Sequence, residues 1–132
     1  MSKPFNQKPR IGSYYTYPAN NFSERDHQPL VSVIVPIYNA GQYLDQALSS
    51  IEGQNYRNLE IICLNDGSTD GSLETIKKHA EADDRIVIID KSNEGYGATC
   101  NRGIDEAHGE WISIIEPDDW IEQGMYAEMV EH

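Results

Sequence analysis

The chain has 132 residues, 39% of them hydrophobic and 24% charged, enough for one domain around one modest core. Twenty-two acids against ten bases leave a formal charge of −12, which repels phosphate backbones and argues against a nucleic-acid partner. No apolar run nears the roughly 20 residues of a transmembrane segment, and no basic-then-apolar signal opens the chain.

Residues 1–29 are polar, hold four of the six prolines and show no sustained period, so they read as an irregular N-terminal arm. The domain follows, over residues 30–132. Residues 30–37 are β-branched and almost continuously apolar, the mark of a strand buried on both faces. Tyr43, Leu44, Ala47, Leu48 and Ile51 then recur at helical spacing. Residues 59–64 make a second strand, closed by Asn65-Asp66-Gly67-Ser68. Ser72 is placed to cap a helix carrying Leu73, Ile76, Lys77 and Ala80. Residues 86–89 form a third strand, and a glycine-punctuated loop from Asn93 to Gly97 leads into a helix reaching Ala107, with a stop at Gly109. Residues 111–115 form a fourth strand, ending in Glu116-Pro117-Asp118-Asp119, and residues 121–130 read as a short final helix.

Strands alternating with helices through short connections imply right-handed crossovers. The expected fold is therefore α/β, a Rossmann-like three-layer α/β/α sandwich on a mainly parallel sheet of about four strands. Ligands bind such sheets beyond the carboxyl ends of the strands. Here those ends are residues 36–39, 65–70, 90–97 and 116–119, which hold many of the unusual polar residues of the chain.

Each segment has a chemical and a plain structural reading. Glu116, Asp118 and Asp119 are an oxygen-only set that suits a hard cation such as Mg²⁺ or Mn²⁺; Asp118 or Asp119 would equally cap a helix starting near Trp120. A bound cation would reverse the sign that a diphosphate meets on this acidic chain. Asp66, at a strand tip, can accept from a base or ribose, or simply belong to an Asx-Gly turn. Tyr38 can lie against a planar base or fill a core. The stretch Asn93 to Asn101 is neither G-x-G-x-x-G nor a Walker loop. His79 and His108 fall in expected helices and read as exposed rather than catalytic, while His27 lies in the arm and His132 at the end. Cys63 and Cys100 are too few for a disulfide framework and lack zinc-ligand spacing, so they read as reduced thiols in a cytosolic protein.

Taken together, residues 31–39, Asn65-Asp66-Gly67-Ser68-Thr69-Asp70, residues 93–101, and Gly109-Glu110-Trp111-Ile112 leading to Glu116-Pro117-Asp118-Asp119-Trp120 resemble the family 2 glycosyltransferases of GT-A fold. The four motifs stand in the family's order and spacing. The resemblance implies a nucleotide-diphosphate-sugar donor, a divalent metal (Mg²⁺ or Mn²⁺) and inversion at the anomeric carbon. It implies that Pro36 and Tyr38 line the base pocket, that Asn39 belongs to the same nucleotide-sugar site, that Asp66 accepts from the base, uracil foremost, and that Asn93, Gly95 and Asn101 lie near diphosphate and ribose. Glu116 stands at the first acid of the metal motif, which touches ribose or metal-bound water and so belongs to the nucleotide-sugar site as well, Asp118 at the direct metal ligand, and Asp119 in support. Two departures from the family pattern are Glu116 in place of aspartate, one methylene longer, and Cys100 in place of an arginine, so that either a diphosphate contact is missing or Arg102 substitutes for it.

The resemblance further implies a glycan or lipid-linked acceptor of unknown identity. The setting implied is cytoplasmic, with the full-length enzyme at the inner face of a membrane and bacterial envelope polysaccharide as the usual product. Family members carry the general base and acceptor pocket downstream of the metal motif, so the expectation is a donor half with the acceptor half absent. The alternative is a nucleotide-sugar-binding module without turnover. A phosphoacceptor receiver would need acids after the first strand, and a sugar nucleotidyltransferase a basic glycine loop there; neither is present.

Overall fold

The computed structural model describes residues 28–131; the expected arm, apart from Gln28 and Pro29, lies outside them, as do His27 and His132. Four strands form one sheet: β1 (Val31–Ile37), β2 (Leu59–Asp66), β3 (Ile86–Lys91) and β4 (Trp111–Ile114). They run parallel in the order β3-β2-β1-β4, with β1 central. Between them lie α1 (Leu44–Glu52), α2 (Ser72–Ala82) and α3 (Tyr96–Glu106), and α4 (Met125–Glu131) follows. A 3₁₀ turn, Gly41–Tyr43, precedes α1.

The alternation along β1 sorts side chains into two cores. Val31, Val33, Val35 and Ile37 pack on one face with Leu44, Leu48 and Ile51 of α1, Ile76 of α2 and Tyr126 of α4. Ile34 packs on the other with Ile62, Leu64, Ile112 and Ile104 of α3. Helices therefore cover both faces in the expected three layers. Every residue of β1 is buried, as its almost continuously apolar run predicts, and the one polar member, Ser32, is hydrogen-bonded to Glu60 and Gly109. Pro36 lies beyond the β4 ladder, which ends at Ile34 opposite Ile114, so this central strand tolerates a missing N–H there.

Local expectations failed where distant partners took over. Ser72 does not cap α2: Gly71 holds that position, and the Ser72 hydroxyl instead accepts the Ala40 N–H at 3.1 Å. His79 is buried, not exposed; its Nε2 lies 2.7 Å from Asp45 and its Nδ1 2.6 Å from Glu52, both on α1. His108 is exposed but lies past the end of α3, where its Nδ1 is 2.7 Å from Glu60. The last helix starts at Met125 rather than residue 121, because α1 and the turn after it hold the intervening backbone. The buried Gln54 amide donates to the Glu122 carbonyl at 2.6 Å and accepts the Tyr126 N–H at 3.0 Å, while the Ile121 N–H donates to Ser50 Oγ.

Candidate functional site

Beyond the carboxyl ends of the strands lies a cleft of about 430 Å³, within the range of small-ligand pockets. The tip of β1 supplies Pro36, Tyr38 and Asn39 to its lining, and the tip of β2 supplies Asp66. The loop after β3 supplies Asn93 and Gly95, and the segment after β4 supplies Glu116 and Asp118. Eight of the residues singled out above thus face one space. Asn101, exposed on α3, and Asp119, exposed past the cleft, are not among its lining residues. Tyr43, Tyr96 and Thr99 also line it and were not singled out. Their helical spacing is ordinary, and only the tertiary fold sets them along the cleft.

The loops at the β1 and β2 tips are stitched to each other. Asn39 adopts a left-handed backbone, φ 49°, which asparagine tolerates. Its Oδ1 accepts the Thr69 N–H at 2.8 Å, and its own N–H donates to Ser68 Oγ at 2.9 Å. Asp70 accepts the Gly41 N–H at 3.1 Å and the Ser72 N–H at 2.9 Å. Asn39 therefore shapes the rim by bonding protein backbone. Gly67, at φ 74°, lets the β2 loop lie against Asn93; a Cβ there would fall 2.7 Å from the Asn93 nitrogen.

Asp66 is buried at the floor. Its Oδ1 receives Lys91 Nζ at 2.7 Å and the Glu94 N–H at 2.8 Å, and its Oδ2 receives the Gly95 N–H at 3.0 Å. Burial alone would raise its pKa, but Lys91 and these two backbone donors outweigh it and hold the carboxyl below its ordinary value. These bonds also fold the residue 92–95 loop onto the end of β2, so that α3 begins at the cleft. The α3 N-cap, Gly95 at φ 99°, makes no side-chain cap bond, so backbone N–H groups of the first turn remain for an anion.

Opposite, the Tyr96 hydroxyl donates to the Glu116 carboxylate. Burial, and then that carboxylate, push the phenol above its ordinary range, so the proton stays on Tyr96. The Asp119 N–H closes a turn on the Glu116 carbonyl at 3.0 Å. Neither Asp118 nor Asp119 caps a helix, since α4 begins at Met125. Tyr38 is 54% exposed and so is no core residue. Cys63 and Cys100 are free and buried; burial pushes the Cys63 thiol up to about 12, which leaves it unreactive. Arg102, the available substitute for arginine at position 100, pairs with Glu106 at 3.3 Å on the outer face of α3 and is not among the cleft residues.

The family model described as Glycosyl transferase family 2 matches residues 32–132. Glycosyltransferase GlyA of Streptococcus pneumoniae is 42% identical over 106 residues, 77% of this chain and 15% of its own length. Glycosyltransferase GlyG of the same organism is 42% identical over 97 residues, 73% of this chain and 32% of its own. Among solved structures, S. aureus TarS 1–349 in complex with UDP matches at TM-score 0.72 and 26% identity, over 76% of this chain and 31% of that one. The mannosyltransferase PcManGT from Pyrobaculum calidifontis, in complex with GDP-Man and Mn²⁺, matches at TM-score 0.67 and 27% identity, over 72% of this chain and 29% of that one. The chain spans about a third or less of the length of each of these proteins. The parallel sheet with its cleft at the strand tips has the architecture of these glycosyltransferases, the GT-A fold, and by its match to the family model over nearly all the described residues the chain belongs to glycosyl transferase family 2.

Proposed function

We propose that residues 30–132 are the donor-binding part of an inverting, metal-dependent glycosyltransferase that uses a nucleotide-diphosphate-sugar, with UDP as the nucleotide. The observation that carries this reading is the convergence of Asp66, Asn93, Glu116 and Asp118 on one cleft from three separate strand tips. The UDP and GDP-Man complexes of the structural neighbours support a nucleotide-sugar as its occupant.

In this reading Tyr38 lies against the base and Asp66 accepts from it, while the uncapped start of α3 meets the diphosphate. Asn93, Gly95 and Asn101 act near diphosphate and ribose, with Asn101 contributing from the exposed side of α3. Pro36 and Asn39 shape the base pocket.

The donor set fits a hard divalent cation. Glu116 and Asp118 offer only oxygen; among the described residues no three acid, histidine or cysteine side chains are grouped to hold a metal ion, so the expected trio with Asp119 is reduced to this pair. Such a partial shell suits Mg²⁺ or Mn²⁺, which keep water and take phosphate oxygens as remaining ligands. Asp118 would hold the cation directly, Glu116 would act from its Tyr96-held position, and Asp119 would support through the turn it closes. A cation held there neutralises the charge that grows on the departing diphosphate. The acceptor is a glycan or lipid-linked alcohol of unassigned identity. No helix of the described residues is long and apolar enough to cross a membrane; we place the reaction at the cytoplasmic face of one, in polysaccharide assembly.

Calorimetric titration of UDP and GDP, with and without Mn²⁺, tests the site. The expected result is Mn²⁺-dependent UDP binding that falls at least roughly tenfold in Asp118→Ala, the loss of about one charge-assisted contact. Binding that ignores both the metal and the substitution would overturn the assignment.

A further inference from the structure

Lys91, the last residue of β3, is the one basic side chain packed behind the cleft floor among the contacts described above, and the proposed donor chemistry does not use it. It stands opposite Asp66 in the β2–β3 register. Its ammonium reaches Asp66 Oδ1 at 2.7 Å, Glu94 Oε1 at 2.9 Å, and Thr99 Oγ1 and the Ser92 carbonyl at 3.2 Å each. Its side chain is 8% exposed and that of Asp66 5%. Asp66 and Thr99 line the cleft; Lys91 is not among the lining residues.

A carboxyl group in so dry a place has two chemical identities. Ionised, it only accepts hydrogen bonds; protonated, it also donates one. The described groups bonded to the Asp66 carboxyl can all donate: the Lys91 ammonium, the N–H groups of Glu94 and Gly95 and the Thr99 hydroxyl. Each favours the ionised form, and burial alone would favour the other. The ammonium is the only full charge among them. It is also held in place by Glu94 and Thr99, so it cannot swing away from the carboxylate at little cost.

We propose that Lys91 is a positioning residue for base selection: from behind the cleft floor it keeps Asp66 an acceptor-only carboxylate, so the pocket takes a base offering N–H and rejects one offering a lone pair. Uracil presents an N–H at ring position 3, where cytosine presents a lone pair. An ionised Asp66 bonds the first and repels the second; a protonated Asp66 would accommodate cytosine. Lys91 itself touches neither base. The inference rests on the reading of Asp66 as base acceptor given under Proposed function.

The test is calorimetric titration of UDP and CDP, each with Mn²⁺, into the wild-type chain, Lys91→Met and Lys91→Arg. The wild type is expected to prefer UDP by roughly tenfold or more, the range for one hydrogen bond to a charged group. Lys91→Met, similar in length but neutral, should bring that ratio toward unity, and Lys91→Arg should restore it. A merely structural ion pair would weaken both nucleotides together and leave the ratio unchanged, which overturns the proposal while the donor-site reading stands. If Lys91→Met does not melt cooperatively, Lys91→Gln takes its place with the same two readings, and a wild type that binds UDP and CDP equally overturns the proposal. A wild type that binds neither nucleotide removes the donor-site reading and this inference with it.

Discussion

The hydroxyl of Tyr96 donates to the carboxylate of Glu116, linking the first turn of α3 to the segment after β4 across the mouth of the cleft. The bond ties the third motif to the fourth. It also gives the longer Glu116 side chain a defined direction, where the family pattern has the shorter aspartate. Tyr96 is 45% exposed, so its ring adds little to the core.

Tyr96→Phe should therefore separate site geometry from stability. We expect Mn²⁺-dependent UDP affinity to fall roughly two- to tenfold, the span of one modest hydrogen bond, with the urea midpoint nearly unchanged. Calorimetry beside urea denaturation measures both. Unaltered affinity would show that the tether does not orient Glu116 for binding.

Gln54 should matter to stability out of proportion to its position in a connecting turn. It is 1% exposed and bonds the Ser50 and Glu122 carbonyls and the Tyr126 N–H. Gln54→Leu keeps the volume but strands buried polar backbone, at a cost of roughly 2–4 kcal/mol. Urea unfolding followed by far-UV circular dichroism gives the number. A loss under about 0.5 kcal/mol, the size of an ordinary surface change, would mean water replaces the amide.

Gly103→Ala should destabilise, although alanine normally improves a helix interior by about 1 kcal/mol. An added Cβ would lie 2.6 Å from Ile34 Cγ2 and 3.0 Å from Leu64 Cδ1, where α3 presses on the sheet. Ile34 is β-branched and stiff, so overpacking should prevail by about 1–3 kcal/mol. A variant more stable than the wild type, by melting temperature, would show that α3 can lift from the sheet freely.

Acid should unfold the chain through particular carboxylates. Burial raises Asp66, but Lys91 and backbone donors bring it below its ordinary value; Arg85 chiefly lowers Asp83, and hydrogen bonds from Ser72 chiefly lower Asp70. A folded-state pKa below the unfolded value contributes stability above the unfolded value, about 4 for aspartate, and that contribution is lost as pH falls through the folded one. Glu52 runs the other way: burial raises it despite His79, so folding favours its protonated form relative to the unfolded chain, and its share of stability fades as pH rises. The urea midpoint should therefore decline below about pH 4, and less steeply in Asp66→Asn than in the wild type. Equal slopes would remove Asp66 from this account.

The layered α/β order was legible in the residues because burial on both faces of a parallel sheet leaves a nearly continuous apolar signature, as in Val31 to Ile37. The location of the cleft followed too, since every strand of such a sheet ends on the same edge, and Asp66, Asn93, Glu116 and Asp118 lie at or just past those ends. What spacing could not supply was the partner of each polar side chain. His79 has the look of an exposed helical residue until α1 brings Asp45 and Glu52 to its ring. Ser72 looks like a cap until the Ala40 N–H reaches it, and Lys91 is an unremarkable base until the β2–β3 register sets it against Asp66. Apolar pattern is a local quantity, written into a few consecutive residues by the geometry of one strand or helix. Hydrogen bonds and ion pairs are short-ranged in space yet join residues far apart in the chain, so the packed fold alone decides them.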